Sequence, residues 1–352
     1  MRFLSTNSFI LVLIPTILAG CQEAETSLSS ARMKKDRGSW NADAPNPSSS
    51  VSSQEFPLTI RDSLDRQIKL PREPKRIISI APKNTELLFA VGAGEQVVGV
   101  TSYCNYPPEA QEVDQVGGFS TQSLSIEKIV SLKSDLILAA GSFHDSLIGE
   151  LERLQIPVVA MGGESISDLF EEIQQVGRIT GHARQAERLV RSLRKEIDGV
   201  KATAQTIPKK ERVTVFYQVW EEPLSAAGPR SCVGELIEIC GGVNVFEEES
   251  RPYTPISEEV LFDRNPQVIL APRAHDVPVT VESIGQKPGW DQLRAVRNNR
   301  IHLIGWDLVS RCGPRVVHAL KQIAHALYPS HFEKPDAPPT GRSSSKAKGQ
   351  AP

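Results

Sequence analysis

The sequence predicts an α/β protein of two lobes, each with a parallel-type sheet flanked by helices, joined by one long rigid interdomain helix. Short apolar strands alternate with helical patterns in two successive blocks, which indicates parallel sheets with covered faces. Between the blocks, residues 183–204 carry apolar side chains at helical spacing, enough for a helix about 30 Å long. Such a helix predicts a stiff strut without large hinge closure; a helix packed within one lobe is the alternative.

The first residues predict a secretory signal that ends in a lipidation site. Arg2 supplies a positive start, residues 9–18 form an apolar run, and Leu18-Ala19-Gly20 precede Cys21. The run is shorter than the ~20 apolar residues that a membrane-spanning helix needs. Its ending resembles the bacterial lipobox, in which the cysteine is lipidated; a plain signal peptide with a chance cysteine is the alternative. We therefore expect a periplasmic or cell-surface protein, anchored to a bacterial membrane through lipid on Cys21.

Composition divides the remainder of the chain into a folded body and two polar ends. Residues 22–53 are rich in Ser, Ala, Pro and Asn, which is typical of a flexible tether. With 40 basic and 42 acidic residues, there is no electrostatic argument for nucleic-acid binding. The predicted segments are a signal peptide and lipobox at 1–21, the tether at 22–53, an N-terminal α/β lobe at 54–164, connecting helices at 165–206, a C-terminal α/β lobe at 207–333 and a disordered tail at 334–352.

The N-terminal lobe opens with a predicted hairpin of strands 56–60 and 67–70, joined by a polar turn. Short apolar runs then predict buried strands at 77–80, 97–100, 136–138 and 158–159. Helical patterns fall between these strands at 85–90, 127–132 and 146–154.

The connecting segment and the C-terminal lobe continue this alternation. Helices are predicted at 168–179, with Gly181 as a stop, and at 183–204. The C-terminal lobe follows with strands at 213–219, 268–270 and 301–304, and helices at 233–240, 257–262 and 314–327. Pro314 suits the first turn of the last helix.

An internal repeat places one glutamate at the same position in each lobe. Residues 125–139 (SIEKIVSLKSDLILA) and 257–271 (SEEVLFDRNPQVILA) align without a gap. In each, a serine occupies a predicted N-cap, and Glu127 or Glu259 follows in the first helical turn, where the helix dipole favours an anion. A matched pair of carboxylates predicts a partner with two matching basic sites. Ordinary capping chemistry is the alternative for either glutamate alone.

Four cysteines remain once Cys21 is lipidated: Cys104, Cys232, Cys240 and Cys312. In an oxidising compartment they can form two disulfides in three pairings, among which the sequence does not choose. Their spacing fits neither a zinc nor a thioredoxin-like site, so no metal site is predicted. The chain also lacks the usual hydrolase, metalloprotease and phosphate-loop motifs, so we predict no catalytic residues and no cofactor. An extracytoplasmic enzyme and a surface adhesin or scaffold are the competing classes.

Four stretches resemble the periplasmic cobalamin-binding protein family, within the helical-backbone (class III) substrate-binding proteins of ABC importers. They are Pro82-Lys-Asn-Thr-Glu-Leu87, Thr101-Ser-Tyr-Cys-Asn-Tyr-Pro-Pro-Glu-Ala110, Cys240-Gly-Gly-Val-Asn-Val-Phe246 and Asp307-Leu-Val-Ser-Arg-Cys-Gly-Pro-Arg315. The resemblance runs from about residue 75 to residue 327. It implies a periplasmic-binding-protein-like fold and a monomer. Such a protein captures cobalamin or a related corrinoid between its lobes and delivers it to a membrane permease and its ATPase.

The resemblance also implies roles for individual residues. Tyr103, Phe119 and Tyr253 match aromatic positions of the corrinoid pocket, although Phe119 and Tyr253 replace tryptophans and so reduce the stacking area. Asp307 and Arg311 match polar pocket groups, whereas Glu127 and Glu259 match carboxylates that dock against permease arginines. Trp220 begins the loop after strand 213–219 and is expected to line the cleft, with half-buried core as its alternative.

The sequence departs from the family in its cysteines. The family's disulfide links the Cys-Gly-Gly cysteine to one in the last helix, but the matching position here is Ala324. We therefore expect Cys232–Cys312 or Cys232–Cys240.

The runner-up ligand within the same fold is a ferric siderophore or haem. The candidate loops offer Arg311, with Arg230 and Arg315, and no histidine. Anionic siderophores call for several converging cations and haem for a His or Tyr ligand, so this inventory favours a neutral, amide-edged ligand.

Overall fold

Two sheets and one long helix organise the part of the chain that the structure describes, residues 55–273 and 279–337 of a computed structural model. The predicted signal peptide with Cys21, the tether at 22–53 and most of the tail at 334–352 lie outside the described residues. Within the described ranges, no helix is both long and apolar enough to cross a bilayer.

The N-lobe contains a small hairpin and a fully parallel sheet. The hairpin consists of β1 (Leu58–Arg61) and β2 (Gln67–Leu70), as predicted. The sheet has the strand order β4-β3-β5-β6. Its strands are β3 (Ile77–Ser79), β4 (Val97–Val100), β5 (Leu136–Ala140) and β6 (Val158–Met161). These strands are almost entirely buried, because helices cover both faces of the sheet.

Three α-helices pack on this sheet: α1 (Pro82–Val91), α2 (Ile126–Ser131) and α3 (Asp145–Arg153). Helix α1 begins three residues before its predicted start, since Pro82 is tolerated in a first turn whose N–H groups have no intrahelical partner. It ends at Gly92, whose φ of 94° is in the left-handed region that favours glycine.

The C-lobe sheet is mixed, which the sequence pattern did not predict. Strands β7 (Thr214–Glu221), β9 (Val243–Asn244), β11 (Val268–Arg273) and β12 (Ile301–Gly305) are parallel. Strands β8 (Leu224–Ala227) and β10 (Tyr253–Pro255) pair antiparallel at the edge, in the order β10-β8-β7-β11-β12. Both edge strands are short and partly exposed, so they lack the apolar run of a buried strand.

The C-lobe helices are α6 (Cys232–Ile239), α7 (Glu258–Arg264), α8 (Val281–Gly285), α9 (Arg294–Arg297), α10 (Trp306–Ser310) and α11 (Val316–Leu327). The placement of Pro314 in the first turn of the last helix was wrong, because α11 begins at Val316. The chain reverses between α10 and α11 at Cys312, which has a φ of 40°. This reversal separates α10, a short helix without a sequence signal of its own, from α11.

Helices α4 (Ile166–Ile179) and α5 (Ala183–Gln205) connect the lobes. With 23 residues, α5 is about 34 Å long at 1.5 Å per residue. One face of α5 is buried, namely Ala186, Val190, Leu193, Ile197, Val200 and Ala204. It packs against α1 and α4 on one side and against α6 and α11 of the C-lobe on the other, so a single apolar core runs through both lobes. The predicted interdomain helix is therefore confirmed, and the alternative of a helix within one lobe was wrong.

Candidate functional site

The loops at the carboxyl ends of the parallel strands carry most of the predicted site residues. Tyr103 follows β4, Trp220 lies near the end of β7, and Asp307 follows β12. Ligands of open α/β sheets bind at this edge, because the loops of several strands converge there. In the described ranges, four large aromatic side chains, two per lobe, are more than a third exposed: Tyr103 (60%), Phe143 (55%), Trp220 (54%) and Tyr253 (43%).

Phe143 belongs to this group although the sequence did not single it out. It lies in the turn directly after β5, and its ring stacks on Phe119 with centroids 4.5 Å apart and planes inclined by 16°. Phe119, which was predicted to face the ligand, is only partly exposed. The two rings therefore form one aromatic wall in which Phe143 is the outer member. An aromatic residue immediately after a buried strand was the signal that could have revealed it.

His144 packs against both rings of this aromatic wall and hydrogen-bonds to the backbone of Ala140 and Phe119. Its ring is buried and meets the rings of Phe119 and Phe143 edge-on, at 5.3 and 5.1 Å. The backbone N–H of Ala140 donates to Nδ1 at 3.0 Å, so Nε2 carries the proton and donates to the Phe119 carbonyl at 2.8 Å. Burial lowers the pKa of His144, against the opposing effect of the Phe119 hydrogen bond. The sequence had placed no histidine at the candidate loops; His144 is there, with both nitrogens occupied.

Beside Tyr103, the thiol of Cys104 is buried rather than open to a ligand. The hydroxyl of Thr85 donates to its Sγ at 3.1 Å, and the hydroxyl of Thr101 lies 3.2 Å away. Burial raises the pKa of Cys104 against the effect of these hydrogen bonds, which keeps the thiol protonated. Cys104 therefore anchors the loop from which Tyr103 projects.

The two polar residues predicted for the site contact each other. Arg311 Nη2 lies 2.9 Å from Asp307 Oδ1, and the amide of Asn105 donates to Asp307 Oδ2 at 3.4 Å. Arg311 also donates to the carboxylate of Glu86 at 2.7 Å. Because Asn105 and Glu86 belong to the N-lobe, these contacts join the two lobes.

Arg315 contributes a second cation to the same cluster. It donates twice to Glu86, at 2.6 and 2.8 Å, and its guanidinium lies 4.0 Å from the ring centre of Tyr106. Burial opposes the positive charge, but the hydrogen bonds and charge of Glu86 raise the pKa of Arg315 overall. Both cations of this cluster therefore face carboxylates of the protein itself.

Tyr253 lies on the edge strand β10 of the C-lobe. Its pKa is raised by burial and then by the negative charge of Glu164, which follows β6 in the N-lobe. The phenol therefore stays neutral.

A disulfide joins Cys232 to Cys312, which confirms the first of the two expected pairings. Cys232 begins α6, and Cys312 lies between α10 and α11, so the bond fastens the segment that carries Arg311 to the rest of the C-lobe. Cys240 and Cys104 are free and buried.

The repeated glutamates, Glu127 and Glu259, are exposed at equivalent places on α2 and α7. Each helix is capped by the predicted serine: Ser125 accepts from Lys128 N at 3.2 Å, and Ser257 from Val260 N at 3.4 Å. The hydrogen bond from Ser257 is the main cause that lowers the pKa of Glu259. Both carboxylates are thus accessible from solvent.

Glu258, next to Glu259, accepts a hydrogen bond from the indole of Trp290 at 2.8 Å. It therefore has a structural partner and differs from its neighbour.

Comparison with known proteins places these features in one family. A model of the periplasmic binding protein family matches residues 77–308. The uncharacterized ABC transporter substrate-binding lipoprotein YvrC of Bacillus subtilis is 28% identical over 298 residues, covering 83% of this chain and 92% of that protein. The vitamin B12-binding protein of Salmonella typhimurium is 32% identical over 254 residues, covering 72% of this chain and 90% of that protein.

Two solved structures are similar in fold. The periplasmic vitamin B12-binding protein BtuF of Vibrio cholerae has a TM-score of 0.61 at 26% identity, covering 72% of this chain and 97% of that one. The periplasmic haem-binding protein RhuT of Roseiflexus in its apo form has a TM-score of 0.65 at 26% identity, covering 72% and 98%. The chain therefore belongs to the periplasmic binding protein family, as a class III substrate-binding protein of an ABC transporter and not an enzyme.

Proposed function

We propose that this protein captures cobalamin or a related corrinoid in the cleft between its lobes and delivers it to the permease of an ABC importer. The observation that carries the proposal is the pair of exposed aromatic side chains on each lobe. A corrinoid is large, flat and edged with amides, so it gains affinity from aromatic stacking and from a few hydrogen-bonding groups. The relatives named as vitamin B12-binding proteins support the same ligand class.

The aromatic groups divide between the two walls of the cleft. Tyr103 and the Phe119–Phe143 pair supply the N-lobe wall, and Trp220 and Tyr253 supply the C-lobe wall. All five belong to loops or strand ends on the ligand-binding edges of the sheets, or to the edge strand β10. This arrangement supports contact with both faces of a planar ligand.

The charge balance at the polar end favours a neutral ligand over an anionic siderophore. Arg311 contacts Asp307 and Glu86, and Arg315 contacts Glu86, at 2.6–2.9 Å. A cation already paired with a buried carboxylate would have to leave that partner to bind an anion, at the cost of stranding the carboxylate. Asp307 and Arg311 can still offer hydrogen bonds to amide side chains.

Haem is the second candidate, because the similar Roseiflexus protein is named as haem-binding. Haem iron takes a His or Tyr ligand in many proteins. Both nitrogens of His144 are used for backbone hydrogen bonds, and the raised pKa of Tyr253 disfavours a phenolate. These two observations argue against His144 and Tyr253 as iron ligands; Tyr103 is the exposed tyrosine that titration with haemin tests.

Isothermal titration of the secreted form with cyanocobalamin, cobinamide, haemin and a ferric hydroxamate siderophore tests the ligand. We expect one-to-one binding of a corrinoid with a Kd of about 1 μM or tighter, weakened in Tyr103→Ala and Tyr253→Ala. Tyr253→Phe is the matched control, since it keeps the ring and removes only the hydroxyl. Binding of haemin or of the siderophore, with no heat from either corrinoid, would refute the ligand assignment.

For delivery, we propose that Glu127 and Glu259 dock against basic residues of the permease, one per lobe. Both are exposed, and the serine cap of each helix holds them at equivalent positions. We also propose that lipid on Cys21 anchors the protein in the bacterial envelope, and that it acts as a monomer.

A further inference from the structure

A buried carboxylate of the N-lobe joins two guanidinium groups of the C-lobe. Glu86 lies on α1 and is 2% exposed. Its Oε1 accepts hydrogen bonds from Arg315 at 2.6 Å and Arg311 at 2.7 Å, and its Oε2 accepts one from Arg315 at 2.8 Å. We call Glu86, Arg311 and Arg315 the Glu86 cluster.

Separating the Glu86 carboxylate from the guanidinium groups of Arg311 and Arg315 is energetically unfavourable. Hydrogen bonds between charged groups, and bidentate ones above all, fix the relative orientation of their partners. The side chains of Arg311 and Arg315 are only 10% and 9% exposed, so water cannot readily replace Glu86. Breaking a buried ion pair leaves an uncompensated charge, which is strongly unfavourable. The lobes are therefore held at a defined separation where the cluster lies.

The Glu86 cluster also orients groups assigned to the ligand site. Arg311 donates to the backbone carbonyl of Tyr103 at 3.4 Å and contacts Asp307 at 2.9 Å. Tyr103 comes from one lobe and Asp307 from the other, and both meet the guanidinium that Glu86 holds. Glu86 itself is too deeply buried to touch a molecule in the cleft.

The C-lobe end of this arrangement is fixed covalently. Cys312 directly follows Arg311 and is bonded to Cys232 at the start of α6. The backbone at Cys312 has a φ of 40°, an uncommon value for a residue with a side chain. The segment from α10 to α11 is thus held by the disulfide within its own lobe and by Glu86 from the other lobe.

We propose that Glu86 is a positioning residue that sets the width of the cleft and the orientation of Tyr103, Asp307 and Arg311 without contacting ligand. The effect on affinity rests on the proposed function. The effect on lobe separation rests on the geometry of the cluster alone, so the two can be tested separately.

The test compares Glu86→Gln with Glu172→Gln in the full chain. Glu172 forms a buried ion pair with Lys83 at 2.6 Å, and Lys83 lies on the same helix as Glu86. That pair joins α1 to α4 rather than to the C-lobe, so it controls for the loss of a buried carboxylate.

Two quantities are measured: the distance distribution between spin labels on cysteines introduced at Glu150 and Asp263, one per lobe, without ligand, and the affinity for cyanocobalamin. Both labelled positions are exposed. We expect Glu86→Gln to broaden or lengthen the distance distribution and to weaken cyanocobalamin binding at least about tenfold. Glu172→Gln should lower thermal stability and leave both quantities at the wild-type values.

Glu86→Asp keeps the charge but shortens the side chain, so we expect it to restore part of both effects. A folded Glu86→Gln protein with wild-type distances and affinity overturns the proposal. If Glu86→Gln does not fold, the distance distribution and the cyanocobalamin affinity of Glu86→Asp test the proposal in its place. If the wild-type protein binds neither cyanocobalamin nor cobinamide, the corrinoid assignment fails, and the distance distribution alone confirms or overturns the role of Glu86.

Discussion

The ring of Phe119 stacks on the ring of Phe143, with 4.5 Å between their centres. The two residues come from different loops, one before α2 and one after β5. His144 fixes both loops, because it accepts a hydrogen bond from Ala140 and donates one to the carbonyl of Phe119. The ring of Phe143 is thus supported by Phe119 and His144, although it is 55% exposed.

Replacing Phe143 should weaken ligand binding. We expect Phe143→Ala to raise the Kd for a corrinoid about tenfold, which corresponds to about 1.4 kcal/mol, because an exposed ring that stacks on ligand is lost. Titration calorimetry measures the change. Val281→Ala, which shortens another exposed apolar side chain (39%), is the control and should bind as the wild type does. Unchanged affinity in Phe143→Ala would remove this residue from the site.

The stability of the protein should fall as the pH drops below about 6.5. Burial is the largest cause that lowers the pKa of His144, His302 and His318 from the ordinary value of 6.5. Above that pH these side chains are neutral in both states. Below it, the unfolded chain takes up protons that the folded protein resists, so the free energy of unfolding decreases. Urea unfolding should therefore show a lower midpoint at pH 5.5 than at pH 7.5.

His144→Asn isolates the contribution of one histidine to this pH dependence. The amide can still accept from Ala140 but cannot titrate. We expect lower stability at pH 7.5 and a smaller loss between pH 7.5 and pH 5.5 than in the wild type. An equal or larger loss in this range would show that His144 does not contribute.

Removal of the disulfide should destabilise the chain. The bond closes a loop with a sequence separation of 80, for which chain entropy predicts a contribution of about 4.5 kcal/mol. Cys232→Ala together with Cys312→Ala should lose about that much in urea unfolding and should not respond to dithiothreitol. The wild type should respond. Cys240→Ala, which removes a buried free thiol, is the control and should keep the response.

The paired glutamates should matter for delivery and not for capture. We expect Glu127→Ala with Glu259→Ala to keep corrinoid affinity within about twofold, a difference of about 0.4 kcal/mol, and to impair uptake by cells that carry the cognate importer. The reason is that both side chains are exposed on α2 and α7, outside the cleft loops. Glu112→Ala with Glu282→Ala removes two other exposed carboxylates and should preserve uptake. Loss of binding by a folded Glu127/Glu259 variant would contradict the docking role.

Local pattern was enough to place most of the secondary structure. The helix predicted at 183–204 is Ala183–Gln205, and the strands predicted at 67–70 and 97–100 have those bounds. Apolar periodicity and caps act over a few residues, so they are visible in one segment at a time. The strands β8 and β10 were not predicted, because their pairing depends on neighbours in space rather than on an apolar run.

The site was predicted less completely than the fold. Tyr103, Trp220 and Tyr253 of the candidate site are exposed at loops, a strand end or the edge strand, whereas Phe143 and His144 beside them were not singled out from the sequence. Their contacts with Phe119 join two loops that are far apart in the chain. The position of Phe143 just after a buried strand is visible in the sequence, but its contact with Phe119 depends on how the two loops pack.

By itself, the sequence determined the two-lobed α/β architecture, the long connecting helix, the family and the equivalent positions of Glu127 and Glu259. The architecture, the helix and the paired glutamates follow from short-range periodicity, capping and a direct repeat, whereas the family is indicated by four stretches that resemble it. Only the tertiary structure decided that Cys232 pairs with Cys312 and that Arg311 and Arg315 share the carboxylate of Glu86. Both are contacts between residues distant in the chain, and they exist only where packing of the lobes brings buried charges and thiols within bonding distance.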